Sequence, residues 1–595
     1  MAQCSENEYE CPYSEGKSAQ SKIKKIRSWE VPMNDTTEPT EEVAGEVSVT
    51  DLLTNKSRRR FLSGLGAVGA AGLAGCTGSG GSEDTTTSSD GTTSSSDSTL
   101  TANVSQRIGT IDPAKGTDYV QAMVLVNLYD PLVFPNSEGE IQPNLASDWT
   151  VSEDSTTYTF TLREDVTFHS GNSFTAEDVK FSTERFIDLD QGYASLLSGV
   201  LDKENITVED EQTVTFELNR SYAPFLPIMV LVFMVDKATI MDNLEDGEYG
   251  DRGDYGQAYI NNNDAGSGAY QLEDFSRGNS ITFAAFDDYF GEFPDGSFDT
   301  VEVQIITENS TVRTLMRNGD LDMSGQYQNS QTYQAIDESD NARVEEIPTF
   351  GLLYNKINTQ KAPTDDRAVR EAIAWGFDYE QVVNTIRPKM NRAQGPLPPT
   401  WGEHDEDVLQ PSYDPDRARR VLEDAGYSEG ELTITNTYTE SYAFQEQIAL
   451  LFQDNMADIG INVELNPQTW GTITELATSP EDTPHTSQVF YVPTYPSPDS
   501  MFYNQFHSEA ANTWMSMEHL DNDEVDALID EARQTPDPEA RAEIYRELQN
   551  TLADLYCDMH LYHTVKTIGF QNDVEGLTLR PAQGFEYTFR DLHQV

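Results

Sequence analysis

From Thr77 to Ser98 every residue is Gly, Ser, Thr, Asp or Glu, so nothing in this stretch can bury a face against a core. Any globular body must be built from Leu100 to Val595, and residues 77–99 read as a flexible tether with a typical reach of about 25 Å. Upstream, Ser57-Arg58-Arg59-Arg60-Phe61-Leu62 precedes a glycine- and alanine-rich run from Gly64 that ends in Leu73-Ala74-Gly75-Cys76. Paired arginines before a short, weakly apolar stretch have the form of a twin-arginine export signal. Small residues leading into a cysteine have the form of a lipoprotein cleavage site. The run is too short for the roughly 20 residues of a membrane-spanning helix. Residues 58–76 are therefore expected to be an export signal, with Cys76 the lipidated first residue of the mature chain on the outer face of the cell membrane. Residues 1–57 form an N-terminal extension longer than such a signal needs, and Met33 offers an alternative start.

Charge agrees with an extracellular setting of high salinity. The 595 residues carry 102 acidic against 38 basic side chains, a formal net charge of -64. Such a surface repels itself in dilute buffer, whereas at molar salt the Debye length falls to about 3 Å and the repulsion is screened. Nucleic acid is excluded as a partner, because one polyanion repels another. Disorder from excess charge is countered by 27 Tyr, 26 Phe and 6 Trp, enough to build a core. Downstream of the signal only Cys76 and Cys557 remain, so no disulfide is available. Cys557, in Leu555-Tyr556-Cys557, is expected to be a small core residue.

From Leu100 onward the patterns are those of an α/β protein. Tyr158, Phe160 and Leu162 alternate with threonines, as Val214, Phe216 and Leu218 alternate with polar residues, which predicts half-buried strands. The apolar run Ile228–Val235 predicts a fully buried strand. Asp414-Pro415 and Asp537-Pro538 each predict a helix start, with a capping carboxylate and a proline where no N–H is needed. The first helix would bury Ala418, Val421, Leu422 and Ala425 and end at Gly426; the second would bury Ile544, Tyr545, Leu548, Leu552 and Leu555. A third is predicted from Asp366 to about Phe377. Asp521-Asn522-Asp523-Glu524 lacks the glycine of a calcium loop and reads as an acidic helix N-terminus.

Signs of catalysis are weak. His560 and His563 have neither the spacing nor the glutamate of a zinc protease, and a late strand accounts for them better. There is no Gly-x-Ser-x-Gly elbow. No catalytic residue, metal ligand or cofactor is expected. A secreted hydrolase adapted to salt remains the alternative, since carboxylates are so abundant that their pairing decides nothing. An adhesin or sensor subunit is a third reading.

Ordered blocks point to a family. Ile111-Asp112-Pro113, Asn127-Leu128-Tyr129-Asp130-Pro131-Leu132-Val133 and Pro143-Asn144-Leu145-Ala146-Ser147-Asp148-Trp149 are followed by Val166-Thr167-Phe168-His169-Ser170-Gly171 and Phe174-Thr175-Ala176-Glu177-Asp178-Val179. Gly266-Ser267-Gly268-Ala269-Tyr270, Asp366 to Ala372, Tyr413 to Tyr427 and Ile459-Gly460-Ile461 come later. In this order they resemble the family 5 extracellular solute-binding proteins, the dipeptide- and oligopeptide-binding components of ABC importers. The resemblance implies a bilobed periplasmic-binding-protein type II fold with a hinge of two chain crossings and an extra subdomain in the first lobe. Lobe I would comprise 100–353 and 567–595, and lobe II 354–566. It also implies a peptide or other small-molecule ligand and ABC permease subunits as partners, with the membrane reached through the lipid anchor.

By the same resemblance the cleft would be lined by Phe490, Tyr491, Val492, Thr494 and Tyr495, with Trp470 covering the ligand and Tyr119 and Tyr193 facing it from the first lobe. In the peptide binders an aspartate in the 490–496 segment holds the ligand's free amino group. Thr494 stands there, and a hydroxyl cannot replace a buried carboxylate as counter-ion to an ammonium. Pro493 also removes a backbone donor. A sugar oligomer, or a peptide in another register, becomes comparable to an amino-terminal peptide as ligand. Calorimetry is expected to give a bound peptide and its N-acetyl form dissociation constants within about threefold of each other; a loss of about a hundredfold on acetylation would refute this.

Overall fold

The computed structural model describes residues 98–595, other than 389 and 583. The export signal, Cys76 and residues 77–97 of the tether lie outside the described residues. The chain enters its first sheet at Thr99–Val104, which pairs in parallel with Thr300–Ile305; Ser280–Ala285 and Tyr270–Ser276 follow, antiparallel. Leu100, Ala102, Val301, Val303, Ile281 and Phe283 are all buried, as the alternation of a half-buried sheet requires.

A second four-stranded sheet, in the order Ala146–Val151, Thr157–Leu162, Thr213–Glu217 and Ile206–Asp210, forms the extra subdomain. The predicted alternation is observed: Tyr158 lies opposite Phe216 and Phe160 opposite Val214, all buried. Helix Ala176–Leu189 packs beside it and starts with a capping box between Thr175 and Asp178. From this helix Arg185, almost wholly buried, forms a bidentate pair with Asp112 at 2.8 and 2.7 Å, and its Nε donates to the Tyr255 carbonyl. Burial alone would raise the Asp112 carboxyl, but Arg185 outweighs it and holds the group below its ordinary value. The blocks of the sequence acquire physical reasons here. A Cβ on Gly266 would lie 1.8 Å from the Leu128 carbonyl oxygen. Asn127 donates to the Tyr587 carbonyl at 2.7 Å and accepts from the Phe589 N–H at 2.8 Å, which fastens the C-terminal residues to the first core.

One expectation is corrected. Ile228–Val235 is buried throughout but is not a strand: Phe225–Ile228 is helical and Met229–Leu231 a 3-10 turn, and only Phe233 makes an isolated bridge, to Pro131. Pro224 and Pro227 favour helical φ at the entry, and an unbroken apolar run carries no period to separate the two states.

The third sheet is six-stranded, in the order Asn391–Arg392, Asp558–Gln571, Ala342–Ile357, Thr486–Tyr491, Leu432–Thr439 and Ile461–Gln468. One face is covered by helices Arg367–Trp375, Pro415–Ala425 and Ala443–Asp458, the other by Pro498–Phe506, Asp523–Gln534 and Pro538–Leu555. The predicted helix starts are observed. Asp366, Asp414 and Asp537 each cap their helix through the side chain, Gly426 closes the second in the left-handed conformation, and Asn522 caps the acidic start of helix Asp523–Gln534. Ala425 is exposed rather than buried. Cys557 is a free, buried thiol within the core.

The two longest strands, Ala342–Ile357 and Asp558–Gln571, pair antiparallel from Ala342 opposite Gln571 to Lys356 opposite Asp558. At one end Ala342 packs with Val312, Met316 and Ile336, while Ile568 and Phe570 join the first core; at the other, Leu353, Ile357, Met559 and Leu561 belong to the core of the six-stranded sheet. Between Pro348 and Leu352 the register shifts. Proline cannot donate to the ladder there, and Thr349 instead donates its hydroxyl to the Thr564 carbonyl.

A buried polar group lies within the sheet's second face. Lys356 Nζ is 2.6 Å from Glu518 Oε1 and donates to Gln505 Oε1 at 3.0 Å, with Lys356 and Glu518 both inaccessible to solvent. Burial raises the Glu518 carboxyl from 4.5 to about 7, with Lys356 opposing the rise.

Two outcomes are expected. Asp112→Asn strands the Arg185 charge in the core and should cost roughly 3–5 kcal/mol in urea unfolding; a loss below about 1 kcal/mol would show that the pair is dispensable. Because the folded-state pKa of Glu518 lies above its unfolded value, its contribution is full at pH below about 4.5 and is lost as pH rises through about 7. Glu518→Gln should therefore flatten the fall in unfolding midpoint between about pH 4.5 and 7, and an unaltered slope would assign the dependence elsewhere.

Candidate ligand site

Asp118 accepts hydrogen bonds from the Val120 and Gln121 N–H groups at 2.9 Å and so starts helix Tyr119–Leu128 with Tyr119 in its first turn. The Tyr119 ring stands edge-on to Tyr327 at 5.6 Å. Tyr327 is half exposed and holds a left-handed backbone (φ 71°) in the loop after Met323, where the Gly325 N–H is tied to Asn103 Oδ1. Such a conformation is uncommon for a residue with a side chain. It leaves the ring 6.4 Å from Tyr442, which precedes helix Ala443–Asp458. Tyr442 stacks on Phe444 at 5.5 Å, and both approach Phe490, at 6.3 and 5.9 Å. Five aromatic rings thus run without a break from the first lobe to the strand that ends at Tyr491. Burial pushes the Tyr119 hydroxyl up to about 12, so it stays a neutral donor across ordinary pH.

A second group lies around Tyr491. Its hydroxyl donates to the Ser500 carbonyl and accepts from Asn504 Nδ2, and its ring is 6.2 Å from Trp514, which in turn meets Trp470 edge-on at 5.2 Å. Trp470 is 42% exposed and Val492 39%, unusual for large apolar side chains that serve only packing. From the first lobe the half-buried Tyr193 donates to the Thr117 carbonyl at 2.8 Å; burial, with Tyr491 and Asp118 adding, raises its hydroxyl well above the ordinary value.

The 490–496 segment leaves the sheet after Tyr491. Pairing with Leu352–Ile357 ends at Tyr491, and the Thr494 N–H is already donated to Ser500 Oγ at 2.8 Å. Tyr495 is fully buried in the first core, and its hydroxyl donates to Asp499 Oδ2 at 2.5 Å. Asp499 faces Arg533 at 3.4 Å, and Arg533 donates to the Tyr222 hydroxyl at 2.7 Å while its own carbonyl accepts from the Ala223 N–H. Burial raises Asp499 from its ordinary value even with that guanidinium beside it. Tyr495 and its neighbours thus tie the first core to helices Pro498–Phe506 and Asp523–Gln534, whereas Tyr327, Trp470 and Val492 are exposed, Tyr442 and Phe490 half-buried and Tyr119 buried.

Sequence reasoning selected Tyr119, Phe490 and Trp470 but missed Tyr327, Tyr442, Phe444 and the Arg533 junction. One signal was legible: an aromatic residue, Tyr442, at the cap of a 16-residue helix in place of the usual Ser, Thr, Asp or Asn. Among the described residues no cluster of His, Cys, Asp and Glu could hold a metal ion.

Known proteins with this architecture are numerous. The probable D,D-dipeptide-binding periplasmic protein DdpA of Escherichia coli is 27% identical over 480 residues, 79% of this chain and 90% of its own. The structure of the ABC transporter substrate-binding protein CtaP of Listeria monocytogenes superposes with a TM-score of 0.74 at 22% identity, over 84% of this chain and 99% of that one. DppA of Helicobacter pylori, solved with the peptide STSA, gives 0.70 at 23% identity, over 83% and 98%. The fold is therefore the bilobed, type II periplasmic-binding-protein fold. The family described as bacterial extracellular solute-binding proteins, family 5, middle region, matches residues 140–513. With more than half of its length inside that match, the chain belongs to the family 5 extracellular solute-binding proteins.

Proposed function

We propose that this protein waits outside the cell on a lipid attached to Cys76, captures a small solute between its lobes and presents it to the permease of an ABC importer. The observation that carries the reading is the run of rings from Tyr119 through Tyr327 and Tyr442 to Phe490. Aromatic faces supplied by both lobes gain contact only when the lobes meet over a ligand, so binding energy becomes closure. Lobe I is taken as 100–353 with 567–595 and lobe II as 354–566, with the two long strands as the hinge. Tyr119, Tyr193, Trp470, Phe490, Tyr491, Val492, Thr494 and Tyr495 are the proposed ligand-site residues, with Tyr495 acting through the junction with Asp499.

Peptide is the first ligand class to test, since relatives are named for dipeptides and di- or tripeptides and three solved neighbours hold peptides. The family is a solute-binding one, and a non-catalytic role is proposed on that ground. Twin-arginine export and a salt-adapted surface are supported by Arg58-Arg59 and by the net charge of -64. The salt-adapted hydrolase is the competing reading, and turnover of the bound solute would favour it.

Three measurements decide the matter. Protein isolated from its own cells should release a small solute on denaturation, and the emptied protein should contract in X-ray scattering when that solute returns; an unchanged scattering radius would defeat the closure reading. Trp470→Ala should weaken that binding about tenfold and shift unfolding by about 1 kcal/mol, since the residue is 42% exposed and its ring meets only Trp514, edge-on, among the described residues. Cys76→Ser should move the protein from the membrane fraction to the medium, and full retention on the membrane would contradict lipid anchoring.

A further inference from the structure

Arg387 is anomalous in this chain. With 102 acidic against 38 basic side chains, a cation here should find a carboxylate easily. Yet Arg387 takes part in no ion pair among the described residues, and its Nε is buried without a hydrogen-bond partner. The exposed arginines without partners are solvated; a buried guanidinium N–H lacks that recourse, and leaving it unmatched is costly.

Its position follows from local sequence. The residue before a proline is driven out of helical conformation. Arg387, preceding Pro388, accordingly ends the π-helical turn Val382–Ile386 at φ -130°, ψ 62°, with its N–H on the Val382 carbonyl. The guanidinium then lies 4.5 Å from the ring centre of Phe444 and 5.6 Å from that of Tyr562. Phe444 is the ring on which Tyr442 stacks, so Arg387 stands at the second-lobe end of the aromatic run. Its charge also reaches Tyr333 of the first lobe, whose hydroxyl donates to the Thr567 carbonyl beside the crossing strands. The Tyr562 hydroxyl is likewise buried without a partner. A guanidinium with an unmatched Nε and an unpartnered hydroxyl therefore lie together beside the rings of Phe444 and Tyr562 at the edge of the second core.

We propose that Arg387, assisted by the Tyr562 hydroxyl, is an anion subsite that holds a carboxylate of the ligand. The ligand class is thus a carboxylated solute fixed by its acid end, with its amine end unfixed because Thr494 replaces the counter-ion there. The inference rests on the solute-capture reading and deepens it. A planar guanidinium matches a carboxylate with two parallel N–H donors, and its stacking on Phe444 fixes the fork in advance. Being partly buried, the contact survives molar salt better than a surface pair would.

The test uses the full mature protein in molar KCl with two N-acetylated tripeptide libraries, one of free acids and one of C-terminal amides, retained peptide being read by mass spectrometry after gel filtration. Wild type should retain acids over amides by roughly 10- to 100-fold, the worth of one or two charge-assisted hydrogen bonds. Arg387→Gln should bring that ratio to within about twofold, and Arg387→Lys should restore it in part. Tyr562→Phe, which removes a single oxygen, should lower the ratio about threefold and guards against a folding defect in the arginine variants. Equal retention of acids and amides by wild type, or an acid preference that survives Arg387→Gln, overturns the anion subsite and leaves solute capture standing. Retention of neither library also overturns it; capture itself then falls only if the solute released from the protein's own cells also fails to contract it.

Discussion

The pairing of Ala342–Ile357 with Asp558–Gln571 is the constraint on which the rest of the structure depends. One ladder carries side chains of the first core at one end and of the second at the other, so both cores are built on the same pair of strands. Its weak point has a chemical cause. Pro348 has no N–H to give, and the register slips before Leu352. On the proposed closure, bending at this register shift would leave both cores intact.

Around that ladder the two lobes meet through unlike chemistries. The Asp499–Arg533–Tyr222 junction is buried and charged, with strict geometry, whereas the run from Tyr119 to Phe490 is aromatic and partly open. Charged hydrogen bonds fix orientation because a misplaced partner leaves a buried charge unmatched. Rings tolerate sliding, and their faces accept many solutes. On the proposed closure, the junction would set how the lobes approach and the rings would supply the surface they approach over.

Charge is used in opposite ways outside and inside. The excess of carboxylates sits on a surface that salt can screen, while inside, Asp112 and Glu518 each have a designated cation, Arg185 and Lys356. Arg387 departs from this rule, and the departure falls where Phe444 and Tyr562 edge the second core.

The sequence by itself determined the local elements wherever one residue type carries the physics. Asp-Pro at 414 and 537 starts helices because a carboxylate caps free N–H groups and a proline lacks one, and the alternation at Tyr158–Leu162 sets a strand because side chains change face at every residue. Ordered blocks carried the family because Gly266, Asn127 and Asp112 each meet a specific distant partner. Ile228–Val235 was misread because an unbroken apolar run has no period. The cleft was only partly legible. Tyr119, Tyr327, Tyr442 and Phe490 come from four separate segments, and nothing local marks the left-handed turn at Tyr327 or the unmatched N–H of Arg387. Whether an aromatic ring is core or cleft depends on what lies opposite it, and only the tertiary fold supplies that neighbour.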